Sequence, residues 1–212
     1  MTSNGYLQAL LFFALLLLLV KPLGWYMARV YQGQSVGLNR VLRPIEALIY
    51  RMSGIRDDEE MDWKAYAVAL LLFNLLGLLV VYQLQRLQAS LPLNTQALGA
   101  ISPDSAFNTA VSFTTNTNWQ GYGGEVTMSY LTQMVGLNVQ NFLSAAAGMA
   151  TLIALIRGIS RRTTQTIGNF WVDLTRSTLY ILLPLALLLA IALVSQGVVQ
   201  TFRSYAAVPF LQ

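Results

Sequence analysis

Four long apolar stretches decide what this chain can fold into. They cover residues 6–28, 65–85, 126–156 and 177–200. About 20 apolar residues in a helix, at ~1.5 Å each, cross the hydrocarbon core of a bilayer. Of all residues 55% are hydrophobic and 10% are charged, whereas soluble domains carry roughly a quarter charged residues. The sequence therefore predicts an all-α integral membrane protein with four transmembrane helices.

The composition excludes several kinds of chemistry. The chain has no cysteine and no histidine, so it offers no thiol nucleophile, imidazole base, disulfide or usual zinc ligand set. It also lacks the GxxxxGK[ST] phosphate loop and the DKTGT phosphorylation motif, so we do not expect it to be an ATPase. The basic residues fall between apolar runs and not on one face, which argues against a nucleic-acid partner.

The basic residues indicate an orientation in the membrane. Eleven of the thirteen lie in residues 21–64 and 157–176, which the positive-inside rule places in the cytoplasm. The N-terminus is then expected outside. Residues 38–52 alternate apolar and basic side chains at helical spacing, interrupted by Pro44, and predict a short helix lying on the inner leaflet.

The outer loop between the second and third spans contains a predicted half-length helix. Ser102, Pro103 and Asp104 predict its start, with a capping hydroxyl, a first-turn proline and an acid at the positive end of the dipole. Residues 106–113, AFNTAVSF, are apolar and compatible with a helix. A helix over about residues 103–113 would be ~16 Å long, about half the bilayer core, so it can enter the membrane without crossing it.

The segment after this helix is too polar to face lipid. Residues 114–124 read TTNTNWQGYGG, and non-helical backbone at membrane depth must be buried in protein or line a water-filled path. Rings of backbone carbonyls with Thr hydroxyls replace the water around alkali cations in narrow pores. The order of half-helix, polar segment and long span therefore indicates a re-entrant pore helix with a selectivity-filter loop. A polar external turn after a hydrophobic patch remains the alternative on composition alone.

At these residues the sequence resembles a known family. The stretch NTAVSFTTNTNWQGYGGE, residues 108–125, is similar to the first filter region of the potassium-binding A subunits of Kdp-type potassium-transporting ATPases. VQNFLSAA at residues 139–146 is a second specific match, and KPLG, LPLN, ALIR and WVDL at residues 21–24, 91–94, 154–157 and 171–174 are shorter ones.

The resemblance implies a membrane subunit that captures external potassium in its filter and is part of an ATP-driven uptake complex. The complete subunit would contain four span, pore-helix, span repeats and an extra N-terminal helix. Its partners would be a P-type ATPase subunit that hydrolyses ATP, a C subunit and a small single-span subunit. The location would be a prokaryotic inner membrane, with potassium as the transported ion and no organic cofactor.

The resemblance also assigns site residues. Thr115, Asn116 and Thr117 match the filter positions that offer carbonyls, and Asn118 and Gln120 match neighbouring positions. Thr117 departs from related filters, which commonly have glycine there.

The expected division of the chain follows the repeat. Residues 1–64 would hold the N-terminal helix and a cytoplasmic loop, residues 65–156 the first repeat, and residues 157–212 a cytoplasmic loop and the first span of an incomplete second repeat. Complete family members are more than twice as long, so we expect a fragment or a truncated product. A passive potassium channel or symporter of the same superfamily and a non-conducting structural membrane protein are the alternative functions.

The charge distribution predicts the topology directly. Single cysteines at Ser3, Ser53 and Ser160 can be placed on this cysteine-free background. An impermeant thiol reagent applied to intact cells is expected to label the cysteine at position 3 and to spare the other two, because basic segments stay inside. The opposite labelling pattern would contradict this orientation.

Overall fold

The architecture is that of an all-α membrane protein. It is seen in a computed structural model that describes residues 3–199 and 201–203. In this part of the chain, four helices are long and apolar enough to cross a membrane: Asn4–Tyr31, Trp63–Ser90, Thr132–Ser160 and Phe170–Ser195. The fold class predicted from the sequence is confirmed.

The α-helices and strands are numbered in chain order. The helices are α1 (Ser3–Tyr31), α2 (Asn39–Ser53), α3 (Trp63–Leu87), α4 (Pro103–Thr114), α5 (Gly124–Thr127), α6 (Val139–Ser160), α7 (Phe170–Arg176) and α8 (Leu183–Ser195). Strands β1 (Met61–Asp62) and β2 (Thr166–Gly168) precede α3 and α7. The π-helical segment Thr132–Asn138 leads into α6, and the π-helical segment Ser177–Leu182 joins α7 to α8. The third and fourth long helices are therefore each continuous.

Two predicted spans begin elsewhere in the structure. The third was predicted from residue 126, but the chain first forms the separate helix α5 and leaves helical geometry at Met128, with φ −110° and ψ 126°. The fourth was predicted from residue 177 but begins at Phe170. It can begin earlier because the charged residues of its first turns form ion pairs with other parts of the protein. Its predicted end at residue 200 lies outside the described residues. Helix α2 also continues through Pro44, where an interruption was expected.

The starts of α3 and α7 lie side by side. Asp62 ends β1 and caps α3, since its Oδ1 accepts a hydrogen bond from the backbone N–H of Ala65 at 2.8 Å. β1 pairs antiparallel with β2, with Met61 opposite Gly168. Asn169 then caps α7, accepting from the N–H of Trp171 at 3.0 Å. Local capping and one short strand pair thus bring the two helix starts together.

A buried ion pair locks the same end of the helix bundle. Arg157 of α6 approaches Asp173 of α7 with Nη1–Oδ2 and Nη2–Oδ1 distances of 2.5 and 2.9 Å. The Tyr66 hydroxyl of α3 lies 3.1 Å from Asp173 Oδ2 and 2.7 Å from the carbonyl oxygen of Ala150. Gly168 is required beside it: its φ is +105°, and a Cβ there would lie 2.0 Å from Arg157 Nη1. One polar cluster therefore connects α3, α6 and α7.

A second cluster docks α2 onto the bundle through Glu46. Its carboxylate accepts hydrogen bonds from Arg176 Nε at 3.0 Å and from the hydroxyls of Tyr50 and Tyr180, both at 2.8 Å. Burial disfavours the charged carboxylate, but these three donors and the Arg176 charge outweigh it and hold the pKa of Glu46 below its ordinary value. The amphipathic helix predicted at residues 38–52 is thus anchored on its polar buried face.

Packing is closest where small residues line the helices. Ala146, Ala150 and Ala154 of α6 are buried against the rings of Tyr66 and Phe170, which lets the helix backbones approach closely. By contrast, no residue in the most apolar 18-residue window of the first long helix is buried. Its surface is available to lipid or to further protein.

The buried ion pair generates a stability prediction. Asp173→Asn leaves the Arg157 guanidinium without its counterion in a site where the Asp173 side chain is 1% exposed. We expect a loss of about 3–5 kcal/mol of unfolding free energy, because an unpaired buried charge is costly. The measurement is denaturant or thermal unfolding of the detergent-solubilised protein.

The control for this prediction is an exposed ion pair. Glu59→Gln breaks the Arg56–Glu59 pair, whose side chains are 66% and 54% exposed, and is expected to change stability by less than about 1 kcal/mol. Equal effects of Asp173→Asn and Glu59→Gln would show that the buried pair does not hold the bundle together.

Candidate functional site

The candidate site begins at the end of α4. This helix runs from Pro103 to Thr114, close to the range predicted from the sequence. Its buried face carries Ala106 and Ala110, both 0% exposed, and Phe113 at 2%, which pack with Val81 and Leu137. Two alanines one turn apart allow α4 to lie close against α3.

The structure places the three residues of the predicted helix start at the beginning of α4. Ser102 occupies the N-cap position, Pro103 is in the first turn and Asp104 lies near the positive end of the helix dipole. The predicted capping role of the Ser102 hydroxyl is wrong, because its side chain makes no capping hydrogen bond. Ser102, Pro103 and Asp104 are exposed, so water can solvate the first N–H groups.

A dense set of hydrogen bonds holds the polar segment to the helix that precedes it. Five successive backbone N–H groups, from residues 115 to 119, turn back to the last turn of α4. The bonds are Thr115 N to Val111 O (2.9 Å), Asn116 N to Phe113 O (3.3 Å), Thr117 N and Asn118 N to Ser112 O (2.9 and 3.2 Å), and Trp119 N to Ser112 Oγ (2.6 Å). Each of residues 115–119 is therefore tied to the last turn of α4.

These bonds also fix the directions of the carbonyl groups. A trans peptide is planar, with its N–H and the preceding C=O pointing in opposite directions, and the described residues have no cis peptide bond. Because the N–H groups of residues 115–119 face α4, the carbonyls of residues 114–118 point away from it. Within the described part of the chain, these oxygens accept no hydrogen bond. Residues 115–120 are exposed.

The backbone torsion angles follow the same pattern. Asn116 and Asn118 have φ values of +58° and +57°, whereas Thr115 has φ −82° and Thr117 is not among the residues with positive φ. Alternation between right- and left-handed residues lets successive peptide groups present the same atoms to one side. Asparagine enters the left-handed region more easily than most residues. Thr117 needs no glycine, because the left-handed positions are its two neighbours.

The side chains of the segment support each other in pairs. The hydroxyls of Thr115 and Thr117 are 3.1 Å apart, and Asn118 Nδ2 lies 3.4 Å from Asn116 Oδ1. Ser144 of α6 donates to the same Asn116 oxygen at 3.3 Å. The segment is thus supported from α6 as well as from α4.

The electrostatics of the site come from dipoles. Residues 105–124 include no Asp, Glu, Lys or Arg. The free carbonyl oxygens and the C-terminal end of α4 both carry partial negative charge. Such an arrangement can replace water around a monovalent cation without a fixed countercharge.

The structure brings together four of the five predicted filter residues. Thr115, Asn116, Thr117 and Asn118 have carbonyls directed away from α4 by the hydrogen bonds described above. Gln120 is exposed, and no such bond orients the carbonyl of Trp119 or its own. Gln120 therefore belongs to the same loop, but not to the residues whose carbonyls are oriented by hydrogen bonds to α4.

Sequence reasoning missed two buried glutamines and Ser112. Gln85 Nε2 donates to the carbonyls of Val81 and Ala106 at 3.0 and 3.1 Å. Gln88 Nε2 donates to the carbonyl of Thr127 at 2.9 Å, and its Oε1 accepts from the N–H of Ser129 at 3.1 Å. The available signal was a pair of amides three residues apart at the end of an apolar span, since such polar groups seek partners.

The sequence comparisons identify close relatives. The family model described as potassium-transporting ATPase A subunit matches residues 10–212. Proteins named potassium-transporting ATPase potassium-binding subunit are 63% identical in Sorangium cellulosum, 62% in Methylococcus capsulatus and 64% in Herpetosiphon aurantiacus, each match covering 100% of this chain.

This chain spans 36–37% of the length of those three relatives. The family match covers all of the candidate site, including α4, residues 115–120 and the supporting residues of α3 and α6. The chain therefore belongs to the potassium-transporting ATPase A subunit family.

Proposed function

We propose that this chain contributes one filter strand to the potassium-binding subunit of a Kdp-type ATP-driven uptake complex. Residues 65–156 would form a span, pore-helix, span repeat, with residues 1–64 before it and residues 157–212 leading into the next repeat. The N-terminus and residues 115–120 would lie on the outer side of a prokaryotic inner membrane, as the basic residues predict.

The observation that supports potassium binding is the separation of donors from acceptors in residues 115–119. The N–H groups are held by α4, so the carbonyls of residues 114–118 are left free and face away from it. A cation site needs backbone carbonyl oxygens directed at the ion, whereas an anion site would present N–H groups. Relatives named as potassium-binding subunits make potassium the cation to propose.

One strand cannot surround an ion. The carbonyls of residues 114–118 belong to one strand at a single helix end, so the remaining ligands must come from other strands around the same axis. We propose that these strands belong to other repeats of the complete subunit. The α4 helix would then enter the membrane from outside, with its negative end directed at the ion.

We propose the partners from the relatives and the motifs together. A potassium-transporting ATPase needs a subunit that hydrolyses ATP, and this chain has neither a GxxxxGK[ST] loop nor a DKTGT motif. The P-type ATPase subunit, with a C subunit and a small single-span subunit, would supply that activity and complete the complex. This chain would act as a transport component and not as an enzyme.

The proposed filter predicts a local charge effect in the complete complex. Gln120→Arg places a fixed cation in the exposed loop beside the proposed ion path. Between the arginine and a potassium ion a few ångströms away, in a partly dehydrated pore entrance, Coulomb repulsion reaches several kcal/mol. Each 1.4 kcal/mol is a tenfold change in the dissociation constant. We expect apparent potassium affinity to fall by at least about tenfold, measured as potassium-stimulated ATP hydrolysis.

Gln96→Arg is the matched control, because Gln96 is also an exposed glutamine between α3 and α6. It adds the same charge outside the proposed filter, and only a small change in affinity is expected. Similar losses of affinity in the two variants would remove the case for a filter at residues 115–120.

A further inference from the structure

Ser112 holds the polar segment through both its backbone carbonyl and its side-chain hydroxyl. It lies in the last turn of α4 and is 7% exposed. Its carbonyl oxygen accepts from the N–H groups of Thr117 and Asn118, and its hydroxyl oxygen accepts from the N–H of Trp119 at 2.6 Å. Of the five N–H groups that face α4, Trp119 N–H is the one held by a side chain.

The hydrogen bond from the Trp119 N–H to the Ser112 hydroxyl sets the direction of one carbonyl group. The N–H of Trp119 and the C=O of Asn118 belong to the same rigid peptide group. Fixing the N–H on Ser112 Oγ therefore fixes the direction of the Asn118 oxygen. The other four N–H groups in the series bond to backbone oxygens of residues 111–113, which remain in place whatever side chain stands at position 112.

We propose that the Ser112 hydroxyl is a positioning residue that sets the orientation of the Asn118 carbonyl and thereby the cation preference of the loop. This inference rests on the proposed function of residues 115–120 as a potassium filter strand. Ser112 does not touch the ion in this arrangement. It holds the peptide group whose oxygen does.

Loss of the hydroxyl has a defined consequence. In Ser112→Ala the N–H of Trp119 loses its acceptor, so the peptide group between Asn118 and Trp119 is free to rotate. A carbonyl that is no longer held in one direction distinguishes poorly between ions of different size. The change is local, because the backbone bonds from residues 115–118 to α4 do not involve the hydroxyl.

The test uses the assembled complex with three variants. Ser112→Ala removes the acceptor and Ser112→Thr retains a hydroxyl. Ser105→Ala removes a hydroxyl from the first turns of the same helix, where the described residues show no hydrogen bond between Ser105 and residues 115–120. Apparent affinities for K⁺, Rb⁺ and Na⁺ are measured by cation-stimulated ATP hydrolysis. Thermal unfolding of each purified complex is followed in parallel.

The expected result is a selective defect. Ser112→Ala should lower K⁺ affinity on the order of tenfold, as expected for an unsatisfied N–H, and should narrow the preference for K⁺ over Rb⁺ and Na⁺. Ser112→Thr should keep the wild-type preference, and Ser105→Ala should match the wild type in affinity and preference.

Three results would overturn the inference. One is an unchanged K⁺ affinity and preference in Ser112→Ala, and another is an equal loss for all three cations together with lower thermal stability, which indicates a merely structural role. The third is a folded Ser112→Thr variant with the altered preference of Ser112→Ala. A wild-type complex without K⁺ stimulation would instead refute the proposed function itself.

Discussion

The hydrogen bonds between residues 115–119 and the end of α4 are the constraint on which the candidate site depends. They use every N–H in the series and leave the carbonyls free. Residues 115–118 are exposed in this chain, so water can solvate these oxygens. If other strands exclude that water, a donor or a cation must satisfy the oxygens instead. The geometry of the segment thus follows from the helix that precedes it, and the helix end adds negative potential at the same place.

Polar side chains of the neighbouring long helices hold α4 and the residues that follow it. Gln85 and Gln88 attach the second long helix to the start of α4 and to the chain before the third long helix. Ser144 reaches Asn116 from α6. At the opposite end of the helices, Arg157 and Asp173 join α6 to α7. Helix α6 therefore contacts both the polar segment, through Ser144, and the ion pair, through Arg157, while α3 holds the start of α4 through Gln85.

Much of this arrangement could be predicted because it depends on local sequence and on the bilayer. Span lengths follow from hydrophobicity, and Pro103 with Asp104 indicated the start of α4 correctly. The Asp173 and Arg176 side chains misled the prediction of the fourth span, because a one-dimensional pattern cannot show that each has an oppositely charged partner in the fold. The same limitation hid Glu46, Gln88 and Ser112, whose partners are distant in sequence or are backbone groups.

The backbone geometry around Thr117 explains why this position does not require glycine. Related filters commonly have glycine there, but the positive φ values of this chain fall on Asn116 and Asn118. Two asparagines on either side of a threonine supply the left-handed residues, and the threonine keeps its hydroxyl beside Thr115 at 3.1 Å. The segment therefore attains alternating backbone geometry without a glycine.

We propose that the carbonyls of residues 115–118 bind the transported cation. The decisive measurement is anomalous scattering from thallium(I), a potassium substitute, in crystals of the complete complex. We expect an anomalous peak within coordination distance of these carbonyl oxygens, and its loss when excess potassium is added. Thallium peaks elsewhere in the subunit, with none beside residues 115–118, would contradict it.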